Sequence, residues 1–166
     1  MHLFIAINFG HEVKSKLLAL CNDLRAHAER GRFSQPKNLH ITLAFLGECA
    51  PKQITVIQSI IHSISFEPFD VIITHTGRFK RDGGDIWWAG IRENKTLAAL
   101  QHTLANKLVA AGFELENRAY TPHITLGREV LTSMQPQKIE PFGETVKTIE
   151  LMKSERVQGA VKYTAI

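Results

Sequence analysis

Asn38-Leu39-His40-Ile41-Thr42-Leu43 returns 83 residues later as Thr121-Pro122-His123-Ile124-Thr125-Leu126, half the chain away. The same shift lays Leu3–Phe9 on Ile86–Arg92 without a gap, and both segments are rich in the β-branched and aromatic residues of strands. A helical stripe follows each of them. The first carries Val13, Leu17, Leu20, Leu24 and Ala28, and the second Leu97, Leu100, Leu104, Leu108 and Ala111. Gly31 is the expected stop of the first helix and Gly112 of the second. Each half then runs through a polar stretch into its His-Ile-Thr-Leu strand.

The remainder of each half is less alike. Ala50-Pro51 opens an expected helix through Ile64, and Phe69–His75 reads as a strand. After the second motif the expected link is short and marked by Pro136, Pro141 and Gly143, with strands at Val146–Met152 and Ala160–Ile166. Arg78–Asp85, with Gly83-Gly84, reads as a turn-rich loop between the halves. One repeat buries too little surface to stand alone. The expected fold class is therefore α+β. Two pseudo-twofold-related lobes, each an antiparallel sheet with outer helices, flank a cleft, and residues 1–166 form a single bilobal domain.

Composition narrows the function classes. Hydrophobic residues at 44% and charged residues at 22% are ordinary for a folded domain and argue against disorder. Lys and Arg exceed Asp and Glu by 20 to 16, an excess compatible with an anionic partner without requiring one. Cys21 and Cys49 are too few for a disulfide framework and sit in no C-x-x-C pair, so both are expected as reduced thiols. Met1–Gly10 reads as a first strand and not as a signal peptide, and no apolar run is long enough to span a membrane. A cytoplasmic location is the expectation.

The doubled motif carries the chemistry. Alternate side chains of a strand share a face, so His40 and Thr42 point together, away from Ile41 and Leu43. His123 and Thr125 stand likewise against Ile124 and Leu126. With the apolar pairs on the core, a twofold axis brings two imidazoles and two hydroxyls around one cavity. That set suits a phosphodiester. One imidazole takes a proton from an attacking water and the other protonates the leaving oxygen, at a pKa near neutrality. Hydroxyls and a cation hold the non-bridging oxygens. No H-x-x-x-H or Cys/His cluster accompanies the two histidines, so neither a zinc site nor a cofactor is expected. A single strand histidine is more often structural or solvated; two copies at the half-chain period are not what packing asks for.

These residues resemble the two-histidine (2H) phosphoesterase superfamily, and within it the RNA 2′,3′-cyclic phosphodiesterases, also called 2′–5′ RNA ligases. Leu3-Phe4-Ile5-Ala6-Ile7, Asn38–Gly47, Gly77-Arg78-Phe79, Ile86-Trp87-Trp88-Ala89-Gly90, Thr121–Arg128, Leu151-Met152-Lys153-Ser154, Gly159 and Tyr163 carry the resemblance along nearly the whole chain. It implies an RNA or nucleotide end bearing a 2′,3′-cyclic phosphate, opened by water to a 2′-phosphomonoester. It makes His123 the base and His40 the acid, with Thr42, Thr125 and Arg128 binding phosphate oxygens. The reverse reaction, with a 5′-hydroxyl in place of water, would form a 2′–5′ linkage. The residues themselves do not say which histidine is the base. Strict alternation places Arg128 on the Ile124 face, so it reaches the phosphate only through a strand end or bulge at Gly127. Its counterpart five residues after His40 is Phe45, read as core, with a base-stacking surface as the other reading.

Among the other histidines, His11, His27, His62 and His102 read as solvated helix positions or helix starts, and His75, near the end of a strand of the central segment, is the only one to watch. Trp87 and Trp88 face opposite ways, one towards core and one exposed or beside the cleft. Arg30, Arg32 and Lys37, with Arg78, Lys80 and Arg81, are solvated surface or a funnel for an RNA backbone. Two other functions share the pattern. One is a 2H activity on small cyclic nucleotides, ADP-ribose cyclic phosphate or 2′–5′ oligonucleotides; the other is a non-catalytic RNA-binding module. A monomer is expected.

Overall fold

The computed structural model describes residues 1–166. Nine strands and three α-helices follow one another as β1 (His2–Asn8), α1 (His11–Ala26), β2 (Ala28–Phe33), β3 (His40–Glu48), α2 (Pro51–Ser63), β4 (Phe69–Phe79), β5 (Asp85–Ile91), α3 (Lys95–Ala110), β6 (His123–Thr132), β7 (Lys138–Val146), β8 (Glu150–Val157) and β9 (Ala160–Ala165). All strand pairs are antiparallel, in the order β7-β4-β5-β6-β3-β1-β8-β9, with β2 alongside β6. The α+β lobes read from the repeat are present. They meet at β3 and β6 through one paired position, Ile41 with Ile124, which are equivalent residues of the two repeats. The pseudo-twofold axis runs through that pair.

The two lobes are not the two halves of the chain. β8 and β9, from the second half, extend β1, while β4 from the first half pairs with β5 and β7. The helices cross over as well. α1 packs on β2, β6 and β7, whereas α3 packs on β3 and α2 on β8. The helix stripes, Val13, Leu17 and Leu24 on α1 and Leu97, Leu100, Leu104 and Leu108 on α3, join Ile41, Leu43, Ile124 and Leu126 in one apolar cluster. Burial of these faces is the main stabilising term, at about 1.5–3 kcal/mol for each fully buried large side chain. The opposite face of the sheet carries a small separate cluster, Phe4, Ala6 and Met152 with Tyr163 against it, and forms the cleft side.

Three expectations change. The first helix stops at Ala26 and not near Gly31, because Ala28–Phe33 pairs as a strand with β6. The expected link around Pro141 and Gly143 is itself strand β7, and the strand expected at Val146–Met152 lies at Glu150–Val157. Proline is tolerated because β7 is an edge strand. Gly143 is needed there because a Cβ at that position would meet the Val71 carbonyl oxygen. Gly112, at φ +95°, ends α3 as read, with the Phe113 N–H donating back to the Leu108 carbonyl.

Candidate active site

β3 and β6 place the two motifs side by side, with Ile41, Leu43, Ile124 and Leu126 in the core and His40, Thr42, His123 and Thr125 half-buried on the cleft face. Each imidazole is held in the same way. His40 Nδ1 donates to the Asn38 carbonyl at 2.7 Å, and His123 Nδ1 donates to the Thr121 carbonyl at 2.7 Å. A carbonyl can only accept, so both rings carry the proton on Nδ1 and turn Nε2 to the cleft. Thr42 Oγ1 lies 2.9 Å from His40 Nε2 and donates to it. Asn38 and Thr121 are themselves equivalent positions of the repeat, so the ring-orienting carbonyl is part of the duplicated unit.

Aromatic residues buttress each ring. Phe4 and Tyr163 lie 4.9 and 5.2 Å from His40, and Phe79 and Trp88 lie 5.1 and 6.2 Å from His123, centroid to centroid. Trp88 is thus the tryptophan beside the cleft, and Trp87 is the buried one. Desolvation among these rings lowers the His40 pKa to about 4, with the positive charges of His123, Arg128 and Lys14 adding to it, while the hydrogen bond to Asn38 acts against them. Burial likewise lowers His123, helped by Arg128 and Arg118 and opposed by the Thr121 hydrogen bond. Both imidazoles are therefore neutral at pH 7, and an anion in the cleft favours protonation of either.

Arg128 acts on both imidazoles because β6 bulges. Trp87 pairs with Gly127 and Trp88 with Thr125, which leaves Leu126 as the extra residue. Leu126 and Gly127 are both buried, the alternation slips by one, and Arg128 emerges on the histidine side. The first motif does the same. Ile5 pairs with Ala44 and Ala6 with Thr42, Leu43 is extra, and Leu43 and Ala44 are both core. Phe45 is therefore not core as read: it pairs with Phe4 on the cleft side and is 59% exposed. The signal was the small residue after each motif, Ala44 and Gly127.

The sequence reading missed several neighbours. Asn8 pairs with His40 across β1 and β3, and its Nδ2 donates to Glu150 Oε1 at 2.9 Å. His75, the one further histidine the sequence singled out, forms one row with Gly90 and His123 across β4, β5 and β6, and a Cβ at Gly90 would strike His75 Nε2 at 2.2 Å, so the His75 ring covers the cleft floor. Tyr120 donates its hydroxyl to the Thr42 carbonyl at 2.9 Å and ties the 113–121 loop to β3, and burial pushes its own pKa up. That loop, α3 and the end of β3 line a cavity of about 880 Å³, with Thr42 and His123 among its lining residues. His102 is exposed, as read, and borders this cavity.

The basic groups divide. Arg78 is spent on Asp85, at 3.8 Å, and on the Trp87 ring. Arg30 donates to the Gly83 carbonyl and Arg32 pairs with Glu129 at 3.0 Å. Arg81 faces the cavity. No three histidine, cysteine or carboxylate side chains converge as a metal-ligand group. No helix is long and apolar enough to cross a membrane.

A curled antiparallel sheet with an imidazole from each half facing one cleft is the architecture of a two-histidine phosphoesterase. Residues 13–158 match the 2′-5′ RNA ligase superfamily, and the chain belongs to that family. The RNA 2′,3′-cyclic phosphodiesterase of Archaeoglobus fulgidus is 28% identical over 151 residues, 87% of this chain and 85% of its own. That of Thermotoga maritima is 31% identical over 149 residues, 88% of this chain and 78% of its own. Escherichia coli LigT, crystallised with 3′-AMP, superposes with a TM-score of 0.86 at 27% identity, covering 99% of this chain and 94% of LigT.

Proposed function

We propose that the chain is a metal-independent RNA 2′,3′-cyclic phosphodiesterase that opens the cyclic phosphate to a 2′-phosphomonoester. The observation that carries this is the pair of imidazoles, equivalent in the repeat, each fixed through Nδ1 to a backbone carbonyl with Nε2 turned to the same cleft. The names of the relatives and the nucleotide bound to LigT support an RNA-derived substrate.

In this reading residues 1–166 work as one bilobal unit. His123 Nε2 takes a proton from water as the water oxygen attacks phosphorus. His40 donates a proton to the departing 3′-oxygen and becomes neutral. Both pKa values are depressed by burial, so the anionic phosphate, by favouring the charged form, lets His40 take up a proton from solvent before the acid step. Thr42, Thr125 and Arg128 hold non-bridging oxygens as charge develops on them. With a 5′-hydroxyl attacking phosphorus in place of water and the 3′-oxygen leaving as before, the same two transfers form a 2′–5′ linkage. Two imidazoles supply both proton transfers, so the chemistry needs no metal ion.

The test is incubation in EDTA with a short RNA ending in a 2′,3′-cyclic phosphate, with the product isomers resolved. A 2′-phosphate is expected from the wild type, and a loss of about 10³-fold or more in His40→Ala and His123→Ala. Wild-type rates in either variant would sink the acid/base assignment.

A further inference from the structure

We infer that His75 is a third imidazole of the reaction, one that transfers no proton and holds the attacking water against His123 through Nε2. This rests on the proposed activity and adds the group that places its nucleophile.

A bulge brings His75 to the cleft. Phe69, Val71 and Ile73 are buried on the core face of β4, and strict alternation would send His75 there too. Instead Ile73 pairs with Ile91 and His75 with Gly90, which leaves Thr74 as the extra residue. His75 then shares the cleft face with Phe79, whose ring packs on His123. β4 thus uses the device that turns Arg128 and Phe45 outwards on β6 and β3.

The ring is held on three sides and open on one. Thr74 Oγ1 stands 2.9 Å from His75 Nδ1, and the Trp88 ring meets the imidazole edge-on at 5.9 Å. Strands lie about 4.8 Å apart, so His75 starts two spacings, about 10 Å, from His123. Gly90, between them, has no side chain, and the imidazole lies across it, with Nε2 where a Cβ would be. Nε2 is thereby about one spacing from β6, with no hydrogen-bond partner in the protein. The width left beside His123 suits one water, bonded at about 2.9 Å on each side. Packing on Trp88 and Gly90 asks only for a ring, not for a nitrogen at that place.

The position matches the nucleophile's side of the reaction. In the strand order β4-β5-β6-β3, His75 and His40 lie on opposite sides of His123. Attacking and leaving oxygens stand in line across phosphorus. With the leaving 3′-oxygen on the His40 side, the water enters from the His75 side. A water that gives one hydrogen to His123 and one lone pair to phosphorus keeps one hydrogen and one lone pair. Nε2 accepts the first or donates to the second, according to which way the Thr74 hydroxyl turns. Either bond fixes the water in place for attack.

The test uses the RNA cyclic phosphate and its 2′-phosphate product. His75→Phe keeps a ring on Trp88 and removes both nitrogens. It should lower kcat about tenfold, the worth of one hydrogen bond. KM and the calorimetric affinity for the product should hold, since the water is fixed only for the step it attacks in. His75→Gln, which returns a hydrogen-bonding group, should recover part of kcat. Gly90→Ala keeps His75 but pushes Nε2 aside, so it should cost kcat as much in the wild type and nothing further beside His75→Phe. A wild-type kcat in His75→Phe, a loss in KM and product affinity in place of kcat, or a Gly90→Ala loss undiminished beside His75→Phe overturns the role of His75 and leaves the activity. A wild type that does not open the cyclic phosphate removes the activity and this role with it.

Discussion

At the scale of the residue, the two histidines are set by what surrounds them more than by their own chemistry. An imidazole in water titrates near 6.5, whereas burial beside Phe4 and Tyr163 takes His40 to about 4. The native state then binds fewer protons than the unfolded chain between these values, so stability rises with pH across that window. Acidification from pH 6.5 to 4 should cost the wild type up to about 3 kcal/mol through this group. Thermal melts of wild type and His40→Gln across that range check it; the variant should lose less. Equal loss in both would mean that His40 is not the group responsible. Arg128 depresses both imidazoles, so Arg128→Gln should raise both titrations as read by NMR of the ring protons. It should also lower kcat/KM about 100-fold, since the proposed mechanism makes Arg128 a charged donor to the phosphate. Unmoved titrations would place Arg128 away from the cleft.

Elements explain why the site faces one way. Two strands that alternated strictly would put Phe45 and Arg128 in the core. The equivalent bulges at Leu43 and Leu126 turn both outwards instead, one apolar and one cationic. The same duplicated geometry thus provides a different tool in each lobe. Close packing of β4 on β5 supports the His123 side. A Cβ on Gly77 would enter the Trp88 ring at 2.2 Å, and Trp88 is one of the two rings that buttress His123. Gly77→Ala should therefore destabilise by about 1–3 kcal/mol, as overpacking does, and displace Trp88. Urea unfolding with tryptophan fluorescence reads both effects. A variant as stable as wild type with unchanged emission would show that the ring has room to move.

For the whole molecule, the exchange of strands and helices between lobes makes the repeat inseparable. Residues 1–83 contain β1, β3 and β4 but neither β8 nor β5, their partners, and α1 packs on β6 and β7. A fragment of residues 1–83 should be unfolded by circular dichroism and by amide dispersion in NMR, although it holds a complete motif. A folded fragment would refute the exchange. The inseparability serves the chemistry, because the cleft lies where β3 and β6 meet and each contributes one imidazole.

From the sequence alone the period of the repeat, the two His-x-Thr faces, the amphipathic helices and the family were legible. Those rest on local periodicity and on side chains whose direction a strand dictates. Arg128 was legible only as a condition, a bulge at Gly127, and Phe45 was placed on the wrong side, because a bulge depends on the register of a neighbouring strand. β2 and β7 were hidden for a related reason. Neither has a strand's apolar alternation, and each is held by the edge of a partner far along the chain. Which helix covers which lobe, the depression of both imidazoles, and the cavity along α3 were decided by tertiary structure. They come from desolvation and packing between distant segments, which no local pattern records.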